Sequence, residues 1–386
     1  MKIGIVCYPT FGGSGVVATE LGKALAQKGH QIHFITYSQP VRLDFFNENI
    51  FYHEVYIPNY PLFQHAPYEL ALTSKMVDVV SNTRLDLLHV HYAIPHASAA
   101  ILARQILQTK GIDIPVVTTL HGTDITLVGK DPSFEPVVAY SINMSDGVTT
   151  VSESLKKDTL EHFEVSKHIE VIQNFVDLKK FRKQKKDHFK RVICPNNEKL
   201  LVHTSNFRKV KRMEDVVAVF AEVKKYIPAK LLLVGDGPER PKIEQLCRDL
   251  EIEKCVHFLG KLDAVEEVLS VADVFMMPSE TESFGLAALE AMACEVPVIS
   301  SNAGGLPELN LQGVTGFLSP VGDVADMVKN TLFVLQEENL PRFKANALAR
   351  AQEFELSKIL PKYEEFYMQV LEETKHRNSV RVGSVS

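Results

Sequence analysis

Short β-branched apolar runs alternate with amphipathic stretches along almost the whole chain. Lys2–Tyr8 reads as a strand, Val16–Lys28 as a helix closed by Gly29, and Gln31–Tyr37 as a second strand. The alternation continues through Leu85–Val90 (strand), Pro95–Lys110 (helix closed by Gly111) and Pro115–Leu120 (strand). Gly147–Val151 (strand), Ser152–Phe163 (helix) and Ile169–Gln173 (strand) complete a first block. A second block repeats the pattern with strands at Lys199–Thr204, Lys230–Val234, Val256–Phe258, Asp273–Pro278 and Val296–Ser300. Its helices are predicted at Met213–Lys225, Pro238–Leu250 and Gly285–Ala293. Strands that alternate with helices imply right-handed βαβ units and parallel sheets covered on both faces. The expected fold class is therefore α/β, with two doubly wound Rossmann-like domains in tandem.

Between the blocks, Leu178–Arg191 carries eight Lys or Arg in fourteen positions. Such a run is ordinarily a solvated linker or an exposed helix. The predicted organisation is an N-terminal domain over 1–170, a linker over 171–198 and a C-terminal domain over 199–354. An amphipathic helix over 355–375, kinked at Pro361, and a disordered tail over 376–386 are expected to follow.

Composition narrows the function. A length of 386 residues, 45% hydrophobic and 23% charged, suits a two- or three-domain globular chain. A net charge of −6 argues against a general nucleic-acid binder. Five scattered cysteines without a CxxC pair suggest neither a disulfide framework nor a zinc site. The N-terminal apolar run is too short for a signal peptide, and Glu290 and Glu295 interrupt the best apolar stretch. A cytoplasmic protein without stable membrane insertion is expected.

Ligands of open α/β sheets bind beyond the carboxyl ends of the strands, so the strand-to-helix loops are where chemistry is sought. The loop Thr10–Gly22 contains Gly13-Ser14-Gly15-Val16-Val17-Ala18, a GxGxxG/A pattern between strand and helix. Its glycines would let backbone N–H groups approach a phosphate or an acceptor, unless they simply make a tight turn. A nicotinamide dinucleotide would need a carboxylate after the second strand, where Thr36-Tyr37-Ser38 stands instead. No Gly-Lys pair is followed by Ser or Thr in a P-loop frame, which excludes that NTPase class.

His121, followed by Gly122, Thr123 and Asp124, stands at a strand end and is placed to meet ligand, the alternative being a satisfied core histidine. His89, His91 and His96 are weaker candidates, and they lack the HExxH spacing of a helical zinc site. No catalytic metal is expected. Four cations in five positions, Arg208 to Arg212, follow Ser205-Asn206-Phe207 and suggest an anion clamp rather than a merely solvated loop. Glu282 precedes the helix predicted from Gly285, and Glu290 lies eight residues on, sharing its broad face. Apolar neighbours require a polar partner for Glu290.

These segments, with VGDGPER (Val234–Arg240) and GGLPE (Gly304–Glu308), resemble the retaining GT-B glycosyltransferases of the GT4 type over nearly the whole chain. The resemblance implies two Rossmann-like domains facing across a cleft, with the C-terminal helix crossing back onto the first. It implies Arg208 and Lys211 as neutralisers of a donor diphosphate, Glu290 on the ribose and Glu282 on donor-sugar hydroxyls. It places His121 beside the sugar, with Asn206, Ser283 and the backbone of Phe284, Gly285 and Leu286 also toward the donor. His121, Arg208, Lys211 and Glu282 form its catalytic set. The loop Gly13, Ser14 and Gly15 is assigned to the donor; Gly15, Tyr92, His121, Thr123 and Arg208 are assigned to the acceptor. Where the family shows N-G-V-D this chain has Asn174-Phe175-Val176-Asp177, which removes close backbone approach there.

Within the family, YPTFGGSGVVATELG, HVHYAIPHA, TLHGTDITLVG and SNFRKVKR are similar to the branch that glycosylates L-malate in bacillithiol biosynthesis. That similarity implies UDP-GlcNAc and L-malate as substrates, with no cofactor or required metal. Front-face displacement is the expected route, with Glu282 as covalent nucleophile the alternative. Another GT4 acceptor, a UDP-GlcNAc 2-epimerase and a non-enzymatic sugar- or nucleotide-binding protein remain open, as does a homo-oligomer.

Overall fold

The computed structural model describes all residues except 11, 44–46, 58–64, 185–186 and 384–386. Phe11 of the glycine loop, Lys185 and Lys186 of the basic run and the last three tail residues therefore lie outside the described residues. The chain divides into two compact units, Met1–Gln173 with Ser357–Ser386, and Asn174–Leu356.

The first unit holds seven strands: β1 (Lys2–Val6), β2 (Gln31–Thr36), β3 (Ile50–Glu54), β4 (Leu87–His91), β5 (Val116–Leu120), β6 (Gly147–Thr150) and β7 (Glu170–Val171). They run in the order β3-β2-β1-β4-β5-β6-β7, and every pairing is parallel. The second unit holds β8 (Lys199–Thr204), β9 (Ala229–Val234), β10 (Val256–Gly260), β11 (Val274–Met277), β12 (Val298–Ser301) and β13 (Gly316–Ser319). Its order is β10-β9-β8-β11-β12-β13, again wholly parallel. Central strands such as LLHVH and VVTTL are buried along their full length, as a sheet covered on both faces requires. In each sheet the strand order reverses once, between β1 and β4 and between β8 and β11, which are the topological switch points of a doubly wound fold.

Several boundaries differ from the sequence reading. The helix predicted from Pro95 spans Ser98–Gln108; Ala93–Ala97 form a separate turn in which Ile94 is extended (φ −129°, ψ 140°), as the residue before a proline prefers. Strand β3 and the helices Tyr68–Thr83 and Glu135–Met144 had no sequence expectation. Residues 171–198, read as a linker, include the last residue of β7 and a helix Asp187–Ile193, in which Lys190 pairs with the buried Asp273 at 2.9 Å. The last helix runs unbroken through Pro361 from Leu356 to Gly383, so the tail expected to be disordered is helical over its described part.

That helix is held to the first unit by polar contacts as well as apolar ones. Tyr363 and Tyr367 are fully buried, and the Tyr367 hydroxyl lies 2.7 Å from His89 Nδ1. His30 Nε2 meets Glu364 at 2.9 Å. Arg377 donates to Asp146 at 2.7 Å, and the other carboxylate oxygen accepts from Arg104 at 2.7 Å and from the Val116 N–H at 2.9 Å. Arg377 thus orders a segment whose composition alone reads as tail. Where the chain leaves and re-enters the first unit, Val176 N–H donates to Phe354 and the Leu356 N–H donates back to Val176.

Arg104 and Asp146 are both almost fully buried, so removing one charge strands the other away from water. Asp146→Ala is expected to lower unfolding stability by about 3–5 kcal/mol, measured by urea titration. A change below about 1 kcal/mol would show that the pair is solvated and carries little stability.

Candidate active site

The first group of candidates gathers at the switch point between β1 and β4. The helix Gly13–Gln27 begins there with Gly12 as its cap and no acidic residue in its first turn. Its unsatisfied N–H groups thus face the carboxyl end of the sheet as a positive pole. Gly15 is required by close approach: a Cβ there would stand 2.4 Å from the Tyr8 carbonyl and 2.6 Å from that of Thr10. Ser14 Oγ and the Tyr92 hydroxyl are 2.7 Å apart, so one hydrogen bond spans the loops after β1 and β4. Tyr92 makes that contact from a backbone at φ 86°, a region few side-chain-bearing residues adopt.

His121 follows β5, one strand over. Its ring Nε2 lies 2.7 Å from Nδ1 of His91, the last residue of β4. Asp124 ties the two loops together from below. Its Oδ1 accepts from the N–H groups of His121 (3.3 Å) and Gly122 (3.0 Å), and its Oδ2 from that of Ala93 (2.9 Å). Burial raises its carboxyl to about 6, against the lowering effect of those backbone donors. Burial also holds the histidines neutral: His89 and His121 fall to about 3, His96 to about 4, and His91 well below the usual range. Thr123, also a candidate, is exposed beside this loop.

The second group stands at the other switch point, between β8 and β11. The loop after β8 carries Asn206 and Arg208, both exposed, and ends in a short turn, Lys209–Lys211. His203, neutral at about 4 through burial, donates through Nδ1–H to the Met276 carbonyl (2.8 Å) and accepts at Nε2 from the Ser205 hydroxyl (2.8 Å). Ser205 Oγ in turn accepts the Phe207 N–H at 3.3 Å and so shapes the loop that presents Arg208. Lys211 Nζ donates to Glu282 Oε2 at 2.6 Å, which joins the loops after β8 and β11. Of the four cations in this segment, Arg212 is committed elsewhere, to Asp215 at 2.6 Å.

Glu282 is held by its backbone too, since its carbonyl accepts the Gly305 N–H at 2.9 Å. Gly304 makes that possible: it sits at φ 54°, and a Cβ would come within 2.1 Å of the Glu282 carbonyl oxygen. The helix that follows starts at Leu286 rather than Gly285, because Gly285 adopts φ 97° as its cap. Glu282 lies in the loop before the helix, as expected, so the broad face it was expected to share with Glu290 is not a helical one. Glu290 is buried on the helix itself. No side chain caps the N-terminus of this helix, where Leu286 and Ala287 are half-buried. Phe284 is buried edge-on against Phe354, with ring centres 5.5 Å apart, and Ser283 is half-buried beside it.

The structure thus brings Gly13, Ser14, Gly15, Tyr92, His121 and Thr123 to one end of the first sheet. It brings Asn206, Arg208, Lys211, Glu282, Ser283, Phe284, Gly285 and Leu286 to one end of the second, with Glu290 farther along the helix that starts at Leu286. Phe175 is buried in the segment that enters the second unit. Sequence reasoning gave no role to Asp124 or His203. Asp124 had one signal, a carboxylate three residues after a strand-end histidine in a glycine turn; His203 read only as strand interior, and His91 stood only as a weaker candidate near a strand end. Among the described residues no three His, Cys, Asp or Glu side chains could hold a metal ion. No helix among them is long and apolar enough to cross a membrane.

Comparison with known proteins agrees with this geometry. Residues 11–180 match the family described as Glycosyltransferase Family 4, and residues 184–350 match Glycosyl transferases group 1. The N-acetyl-alpha-D-glucosaminyl L-malate synthase of Bacillus anthracis is 48% identical over 382 residues, covering 97% of this chain and 99% of that protein. The Anabaena HepE protein, solved in complex with UDP and glucose, superposes with a TM-score of 0.80 at 21% identity, covering 95% of this chain and 98% of that one. Sucrose-phosphate synthase from Thermosynechococcus elongatus gives a TM-score of 0.80 at 22% identity, over 97% of this chain and all of that one. At such identities the structures establish a shared fold. Matches along both units, with a full-length relative at 48% identity, establish that the chain belongs to the group 1, family 4 glycosyltransferases.

Proposed function

We propose that this chain transfers N-acetylglucosamine from UDP-GlcNAc to the 2-hydroxyl of L-malate, with retention at the anomeric carbon. The observation that carries the reading is the 48% identity to the malate synthase of Bacillus anthracis over 97% of the chain. In the reaction the bond between the anomeric carbon and the UDP β-phosphate oxygen breaks, and a bond to the malate hydroxyl oxygen forms on the same face. The departing phosphate oxygen takes the hydroxyl proton, leaving UDP and the malyl glycoside.

Leaving-group charge is the main thing to stabilise. Arg208 and Lys211, with the backbone N–H groups of Phe284, Gly285 and Leu286, would do so without a metal. Glu290 would hold the ribose hydroxyls, Glu282 the sugar hydroxyls, and Asn206 and Ser283 would add donor contacts. The first unit would supply Gly13, Ser14, Gly15, Tyr92, His121 and Thr123, whose N–H and O–H groups suit a dicarboxylate acceptor and a sugar. Arg208 would add its charge toward the acceptor. The 2.6 Å pairing of Glu282 with Lys211 favours front-face displacement, because an ion-paired carboxylate is a poor nucleophile. The five free thiols suit the reducing cytoplasm in which we place the protein.

A UDP-release panel that crosses several UDP-sugars with malate, other hydroxy acids and inositol phosphate tests the assignment. Release that depends on both UDP-GlcNAc and malate is expected. Release independent of any acceptor would favour a UDP-GlcNAc 2-epimerase, and activity with another acceptor alone would move the enzyme within its family. Lys211→Ala should reduce turnover by about 2–4 kcal/mol of barrier, roughly 30- to 1,000-fold. Near-normal turnover would remove the clamp from the mechanism. Glu290→Ala should weaken UDP binding in calorimetry, and an unchanged affinity would refute its ribose role.

A further inference from the structure

The histidine pair at the ends of β4 and β5 carries more than His121 alone. His91 is fully buried, and its register partner on β5 is Thr119, two residues before His121. Its Nδ1 is the atom that meets His121 Nε2, at 2.7 Å. Its Nε2 is buried and has no partner among the described residues. His121 Nδ1 likewise has no protein partner among them, and the His121 residue is only half-buried. The groups around the pair are His89, with its ring centre 4.4 Å from that of His91, and His96, whose Nδ1–H donates to the His91 carbonyl at 2.5 Å. Tyr92 and Asp124 complete the surroundings of His121; the Tyr92 ring centre stands 5.4 Å from that of His121, and Asp124 binds the His121 backbone N–H.

Burial keeps both rings neutral, so each carries a single ring proton. Two arrangements then fit the 2.7 Å contact. If His121 donated through Nε2–H, His91 would have to carry its proton on Nε2, as a buried N–H with no acceptor. If His91 donates through Nδ1–H, its buried Nε2 is left only with an unused lone pair. Orphaned buried donors are rarer and costlier than under-used acceptors, so the second arrangement is favoured. It fixes His121 with its proton on Nδ1, the nitrogen that no protein group uses.

We propose that His91 is a positioning residue that holds His121 in the Nδ1–H tautomer, so that His121 meets its ligand as a neutral hydrogen-bond donor and not as a base. The atoms that Nδ1–H would serve are hydroxyl or carboxylate oxygens of a sugar or hydroxy acid. This rests on the glycosyl-transfer reading for its ligand, but the tautomer itself does not. It also fits the proposed route of the acceptor proton: with Nδ1 already protonated, His121 does not compete with the departing phosphate oxygen as the base.

The test uses the full chain labelled with 15N-histidine. Two-bond proton–nitrogen spectra distinguish the tautomers, and loss of a signal set in His121→Asn assigns the ring. A protonated Nδ1 and a bare Nε2 on His121 are expected in the unsubstituted protein. The reverse pattern overturns the proposal, even if UDP-GlcNAc and malate prove to be the wrong substrates. With active enzyme, His91→Phe should lower kcat about 10- to 100-fold, by analogy with loss of the outer hydrogen-bond partner of a metal-ligating histidine. The KM for UDP-GlcNAc should change by less than about two-fold, since orientation rather than uniform binding is lost. His91→Asn, whose amide nitrogen stands in for Nδ1–H, should recover most of that loss. Equal impairment of both variants, each folded by circular dichroism, would reduce His91 to a packing residue and overturn the positioning role.

Discussion

One hydrogen bond across the switch point of each sheet organises the candidate chemistry. In the first unit Ser14 reaches Tyr92 at 2.7 Å, and in the second Lys211 reaches Glu282 at 2.6 Å. Both bonds join loops that leave neighbouring parallel strands in opposite directions, to helices on opposite faces of the sheet. A crevice opens wherever that divergence occurs, which is why such sheets bind ligands there. The same divergence exposes the N-terminal N–H groups of the following helices, Gly13–Gln27 and Leu286–Ala293. A positive pole at the crevice is therefore a consequence of strand order before any side chain is chosen.

Holding those loops in place takes polar groups buried where water cannot compete. Asp124 receives three backbone N–H groups from the loops after β4 and β5. His203 and Ser205 shape the loop after β8, and the Gly305 N–H fixes the backbone of Glu282. Each of these groups would be costly to leave unpaired, so each restricts its loop to one arrangement. The preorganisation that a transferase needs to stabilise a departing diphosphate has this physical source.

The C-terminal helix has a comparable role in the first unit. Tyr367 meets His89 in the middle of the sheet, and Arg377 completes the coordination of Asp146 begun by Arg104. Residues distant in sequence by more than 200 positions thus cover the strands that end in His91 and His121.

Much of the fold was legible because it depends on local periodicity. Apolar runs of strand length alternating with amphipathic segments specify parallel α/β units whatever their ligand. The glycine loop, the cationic turn and the Glu282–Glu290 segment were legible because glycines, clustered cations and carboxylates beside strand ends stand out from the surrounding pattern. What the chain order does not encode is which loops become neighbours: β4 lies beside β1, and β11 beside β8, only because the sheets are doubly wound. That decision pairs Lys211 with Glu282, joins His91 to His121 and gives Asp124 the Ala93 N–H, all contacts between separate loops or strands. Sequence determined the elements and the chemical groups at their ends; tertiary structure alone decided which groups share a proton, since hydrogen bonding depends on distances of about 3 Å that no linear spacing specifies.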